Sequence, residues 1–111
     1  MTDAGGEALV AGLVGKELQD LDLRLHRTSV ADKTGLAIGK FLGSCGKMTK
    51  LALILAGTKI GDSGGESIAN GLVALPLLTT ILLAFERTLV SPGRVADVKR
   101  KLQRPGLQIN Y

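Results

Sequence analysis

Tryptophan is absent from the 111-residue chain, and only two Phe and one Tyr stand beside it, although 45% of the residues are hydrophobic. A core built from this sequence must therefore be aliphatic, packed from Leu, Ile, Val and Ala. Cysteine occurs once, at Cys45. That excludes an internal disulfide and a cysteine-based zinc cage, fits a reducing compartment, and leaves an unpaired buried thiol as the expected role. Histidine also occurs once, at His26, so any serine-nucleophile chemistry would have to use it. The N-terminus, MTDAGGEALVAG, lacks the basic start and apolar stretch of a secretory signal and the arginines of a transit peptide. With the lone cysteine, this favours an intracellular setting without naming a compartment. The length is that of one small domain.

Two motifs invite an enzymatic reading. "GDSGG" at Gly61–Gly65 has the letters of a trypsin-like nucleophile loop, but a triad needs a histidine base and an orienting carboxylate, and the chain is too short for two barrels. "GSCGKMT" has a Gly-Lys pair, but a phosphate-binding loop requires Gly where Phe41 stands and Ser or Thr where Met48 stands. No enzymatic activity, cofactor, metal site or small-molecule substrate is expected.

What the chain does have is self-similarity. "LQDLDLRLHRTSVADKTG" from Leu18, "MTKLALILAGTKIGDSGG" from Met48 and "LTTILLAFERTLVSPGR" from Leu78 follow one another at 30-residue steps. Under this spacing Leu21, Leu51 and Ile81 align, as do Leu23, Leu53 and Leu83, then Leu25, Leu55 and Phe85, then Thr28, Thr58 and Thr88, then Val30, Ile60 and Val90. Alternation of the leucines predicts a short strand with one apolar face. After it the period changes: Asp32, Gly35, Ile38, Leu42 and Asp62, Gly65, Ile68, Leu72 fall three and four residues apart, the spacing of one helical face. The opening segment, Asp3, Gly6, Leu9 and Leu13, has the same form.

Each unit is thus strand, turn and helix. The aspartates stand where an N-cap carboxylate accepts from the free amides of its own helix, and Gly64 and Gly65 are expected to let that helix approach the sheet. Ser63 then becomes an exposed first-turn residue. Ser91-Pro92 opens a last helix carrying Val95, Val98 and Leu102. "RPG" ends it before a final alternation of Leu107, Ile109 and Tyr111.

The pattern L-x-x-L-x-L-x-L-x-x-T-x-V/I-x-D-x-x-G-x-x-L/I-x-x-x-L resembles the leucine-rich repeat family, in its ribonuclease-inhibitor-like subclass. The resemblance runs from Thr2 to about Leu102. The chain departs from the family in holding Thr28, Thr58 and Thr88 where Asn is usual, and in an additional Leu-x step that lengthens the strand. The resemblance implies an α/β leucine-rich-repeat solenoid, with a concave parallel sheet of about four strands and convex helices. It makes residues 1–111 a single domain with units at about 1–29, 30–59, 60–89 and a partial 90–111. Because one unit cannot bury its own apolar face, units must stack. The first unit opens within its helical half and no polar capping unit is evident, as in a fragment of a longer array or one completed by a partner.

The strand residues pointing away from the core form the informative surface: Asp22 and Arg24, Ala52 and Ile54, Leu82 and Ala84, Gln108 and Asn110. An apolar interruption at Ile54 and Leu82 suggests a protein-binding surface, with Asp22, Arg24 and Glu86 steering from its rim. The expected function is a non-enzymatic protein-interaction scaffold, a structural or accessory subunit of a larger assembly, with any membrane contact made through the partner. One alternative is a single membrane span at Ser67–Phe85, which has no charge over 19 residues. It conflicts with Asn70, Pro76, Thr79 and Thr80 inside it, and the repeat explains the same residues together with their neighbours. The other is RNA or ribosome association through Arg94, Lys99, Arg100, Lys101 and Arg104. From Arg87 onward there are six Lys or Arg against one acid, but stacking aromatics are lacking, so nucleic acid is not favoured.

Overall fold

The computed structural model describes residues 2–13, 18–103 and 106–110. Helices and strands alternate through it: α1 (Asp3–Ala11), β1 (Asp20–Arg24), α2 (Asp32–Leu42), β2 (Lys50–Ile54), α3 (Asp62–Val73), β3 (Thr80–Ala84), α4 (Pro92–Leu102) and β4 (Gln108–Asn110). The strands form one parallel sheet in the order β1-β2-β3-β4, so every crossover joins neighbours. Leu21 pairs with Leu51, Leu51 with Ile81 and Ile81 with Ile109; Leu23 pairs with Leu53 and Leu53 with Leu83. These are the columns that the 30-residue step aligns. Tyr111, placed in the last strand by its sequence alternation, and Arg104, assigned to the basic helix, lie outside the described residues.

One face of the sheet meets the helices. Leu23, Leu53 and Leu83 join Ile38, Leu42, Ile68, Leu72, Val98 and Leu102 in a single aliphatic core. Cys45 is buried in it, its Sγ 3.3 Å from the Phe41 carbonyl oxygen, so it packs as a small apolar residue. Burial pushes the thiol pKa up, and a hydrogen bond with Ser44 opposes that only in part. Ser67–Phe85 divides between the second half of α3, a turn and β3. It is not one helix, and no described helix is long and apolar enough to cross a membrane.

The aspartates act differently from the local N-cap expected of them. Each is the first residue of its own helix, and the N-cap positions Thr2, Ala31 and Gly61 make no side-chain cap. Instead, each carboxylate reaches forward to the next unit. Asp3 Oδ1 accepts from Ala31 N at 2.7 Å, Thr34 N at 3.2 Å and the Thr34 hydroxyl at 2.7 Å. Asp32 Oδ1 accepts from Gly61 N at 2.8 Å and Gly64 N at 3.0 Å, and Asp62 Oδ1 from Ser91 N at 2.7 Å. The orphan amides at a helix start are thus satisfied from the preceding unit, and capping becomes a bond between units. The fourth unit places Pro92 in this column, and α4 is capped locally by Ser91, whose Oγ accepts from Arg94 N at 3.4 Å.

The glycines also do something other than bring helix to sheet. A Cβ on Gly35 would lie 2.7 Å from Gly64 Cα, one on Gly71 would lie 2.6 Å from the Gly39 carbonyl oxygen, and one on Gly39 would collide with the Ser67 backbone. They let α2 and α3 pack backbone to backbone. Gly65 instead faces the Val90 side chain.

In the turns after the strands, Thr28, Thr58 and Thr88 donate through Oγ1 to the carbonyls of Leu25, Leu55 and Phe85, at 2.7, 2.8 and 2.8 Å. Each threonine closes its own turn. The link between turns is carried by the backbone: Arg27 N donates to Ala56 O, Gly57 N to Glu86 O, Lys59 N to Val30 O and Leu89 N to Ile60 O.

Candidate protein-binding face

The face of the sheet turned away from the helices is open. Pairing sets its residues in columns across the strands: Asp20, Lys50, Thr80 and Gln108; Asp22, Ala52, Leu82 and Asn110; Arg24, Ile54 and Ala84. The side chain of Asn110 lies outside the described ones. Asp22 and Arg24 are exposed on β1, while Ala52, Ile54 and Ala84 are half-buried by their neighbours. Leu82 is 37% exposed, a large aliphatic side chain at the middle of the sheet. Polar character is therefore confined to the β1 side and the two ends of the strands.

Asp22 and Arg24 lie two residues apart on the same side of β1 and bond to each other, with Arg24 Nε 3.0 Å from Asp22 Oδ1 and 3.2 Å from Oδ2. The hydrogen bond and the negative charge of Asp22 raise the Arg24 pKa further above its ordinary value. Both groups are well exposed, so the pair orients the arginine more than it stabilises the fold.

Two depressions meet at Leu82. One, of about 390 Å³, lies toward the starts of the strands and is lined by Asp20, Asp22, Lys50, Ala52 and Thr80 among others. The other, of about 640 Å³, lies at their C-terminal ends, with Ile54 and Leu82 on its floor and Arg24, Arg27, Arg87 and Glu86 around it. The structure thus brings all seven sequence-derived site residues to one face or its rim, since Ala84 pairs with Ile54 and Glu86 follows in the turn beyond.

Three residues of the second depression went unnoticed in the sequence. His26, Arg27 and Arg87 line it. Arg27 and Arg87 adopt positive φ, 58° and 59°, at the turn position that Gly57 occupies with φ of 74°. The available signal was Gly57 itself, midway between two arginines at 30-residue spacing, because a glycine in a repeat column points to a left-handed turn position.

Ser63 is exposed and lines a different depression, between α2 and α3 with Lys40 and Glu66, whereas His26 lines the open face of the sheet. Among the described residues, no group of three or more His, Cys, Asp or Glu side chains is placed to hold a metal ion. The basic residues Arg94, Lys99, Arg100 and Lys101 lie on α4. Arg94 pairs with Glu66 at 3.6 Å and Arg100 with Asp97 at 3.3 Å, which neutralises part of that helix's charge.

Fold and face together define an α/β array with one sheet surface covered by helices and the other free, aliphatic at its centre. No family model matches the chain, and no curated protein does. Solved structures do match; among them is Leiomodin-1 Actin-Binding Site 2 (ABS2), with a TM-score of 0.73 and 18% sequence identity, over 100% of this chain and 64% of that one. The chain therefore spans somewhat less than two thirds of that structure, and similarity at this identity establishes a shared fold.

Proposed function

We propose that the chain is a leucine-rich-repeat solenoid of the ribonuclease-inhibitor-like subclass, and that it works without catalysis as a protein-binding scaffold, an accessory or structural subunit of a larger assembly. The observation that carries this is the aliphatic centre of the open sheet: Leu82, exposed, beside Ala52, Ile54 and Ala84. A regular array of strands holds these side chains at fixed spacing with little entropy left to lose on binding. Burying what remains exposed of Leu82 contributes roughly 1 kcal/mol, and Ile54 adds to it, so this centre supplies affinity while Asp22, Arg24 and Glu86 supply orientation. The structural neighbour being an actin-binding site by name supports a protein partner and makes actin the first one to assay.

The test is a double variant, Ile54→Asp with Leu82→Asp, set against Leu36→Asp on the outer surface of α2, where Leu36 is also exposed. Partners that co-purify stoichiometrically with the native protein should be lost from the double variant and kept by Leu36→Asp, with circular dichroism unchanged in both. Retention by the double variant, or loss only with Leu36→Asp, would overturn the reading.

A further inference from the structure

The proposed binding face has a chemically distinct end. At the C-terminal ends of the strands the turn positions of successive units stack, because Arg27 N bonds to Ala56 O and Gly57 N to Glu86 O. Arg27 and Arg87 therefore stand two units apart, on the order of 10 Å by the spacing of neighbouring strands, with Gly57 between them. A Cβ at Gly57 would lie 3.4 Å from Arg27 N and 3.6 Å from Arg27 Cγ, so a side chain there would crowd the gap that glycine leaves. Ile54 and Leu82 line the same depression.

The charges in it are unequal. Arg24 is held by Asp22. Arg27 and Arg87 form no ion pair among the described residues, and Glu86 is the one carboxylate among the lining residues. Both arginines also occupy a backbone conformation that is costly for any residue other than glycine or asparagine. We infer that this depression receives an acidic segment of the protein partner, its carboxylates engaging Arg27 and Arg87 across Gly57 and an adjoining aliphatic side chain resting on Ile54 and Leu82.

The chemistry favours a peptide over a nucleic acid. The lining offers aliphatic side chains and no aromatic ring on which a base could stack. Glu86 and Asp22 interrupt the positive surface, which a continuous phosphate backbone would meet as repulsion. Separated carboxylates on a peptide can straddle them, each accepting in the bidentate geometry that guanidinium favours.

This inference rests on the open sheet being the binding face, and the test separates the two. A phage-displayed random dodecapeptide library is panned on the full-length chain, and the selected peptides are measured by fluorescence anisotropy against Arg27→Gly with Arg87→Gly. Glycine is the replacement because Gly57 already holds the same turn conformation, so the fold is kept; thermal melting confirms it. Selected peptides should be enriched in Asp and Glu beside Leu or Ile. They should lose about tenfold or more in affinity for the double glycine variant and gain affinity for Glu86→Gln.

Peptides without acidic enrichment, or indifferent to both arginines, overturn the inference. If such peptides are still displaced by Ile54→Asp with Leu82→Asp, the open face stands and only its charge chemistry falls. A 20-nucleotide single-stranded RNA that binds more tightly than the best peptide, and is lost in the double glycine variant, also overturns it.

Discussion

Asp32→Ala should lower stability by about 2 kcal/mol, and the loss should show first in the unit that follows it. The carboxylate accepts from Gly61 N at 2.8 Å and Gly64 N at 3.0 Å. Loss of a capping side chain costs about 1 kcal/mol, and loss of a negative charge beside a helix start adds about 0.3–1 kcal/mol. The second amide brings the sum near 2 kcal/mol, and it goes no higher because Asp32 is only half-buried, so water reaches the released amides. Urea unfolding should then shift its midpoint down by roughly 1 M, at a slope of about 1.5–2 kcal/mol per molar. Asp62→Ala should cost less, since Asp62 is exposed, holds one printed amide, Ser91 N, and leaves α4 with the Ser91 cap. Amide hydrogen exchange locates the effect. In Asp32→Ala the amides of Gly61 and Gly64, at the start of α3, should lose protection. Loss confined to the first turn of α2, with those two unchanged, would refute capping between units.

Other consequences can be measured in the same way. Gly35→Ala should destabilise by about 1–3 kcal/mol, because its Cβ would stand 2.7 Å from Gly64 Cα and backbone must move. Gly93→Ala, which meets nothing within 4 Å, should instead stabilise by about 0.5 kcal/mol; thermal melts of the two should shift in opposite directions. Partial burial works to raise the Asp3 pKa, but hydrogen bonds from Ala31 and Thr34, with the charge of Lys33, outweigh it and hold the pKa below the ordinary 3.8. A depressed folded pKa stabilises above the unfolded value and loses that contribution as pH falls through the folded one. The stability gap between the wild type and Asp3→Asn should thus shrink on acidification below about pH 4, and a constant gap would contradict the assignment. Cys45, buried with its pKa raised, should resist a disulfide reagent at neutral pH and react at a rate set by unfolding; prompt reaction in the native state would contradict its place in the core.

The alternation at Leu21, Leu23 and Leu25 and its recurrence 30 residues on made the strands and their register legible, because each column buries one side chain against the next. Ser91-Pro92 was legible as a helix opening for the same local reason. Asp32 was misread because a capping rule looks forward along one helix, while the acceptor's partners, Gly61 and Gly64, lie 29 and 32 residues away in sequence and adjacent in space. Gly35 and Gly39 were assigned to helix-on-sheet packing since periodicity gives the face of a helix and not the neighbour it meets. On the binding face, Ile54 and Leu82 followed from alternation alone. Arg27 and Arg87 did not, because nothing in a strand pattern brings turn residues into the same depression.

The central claim is that the open face of the sheet is where a partner sits. A photo-crosslinking amino acid placed at Leu82, and in a separate protein at Leu36 on the outer side of α2, tests it directly in the native source. The account predicts one protein captured in high yield from position 82 and none from position 36. Capture from position 36, with position 82 silent, would contradict it.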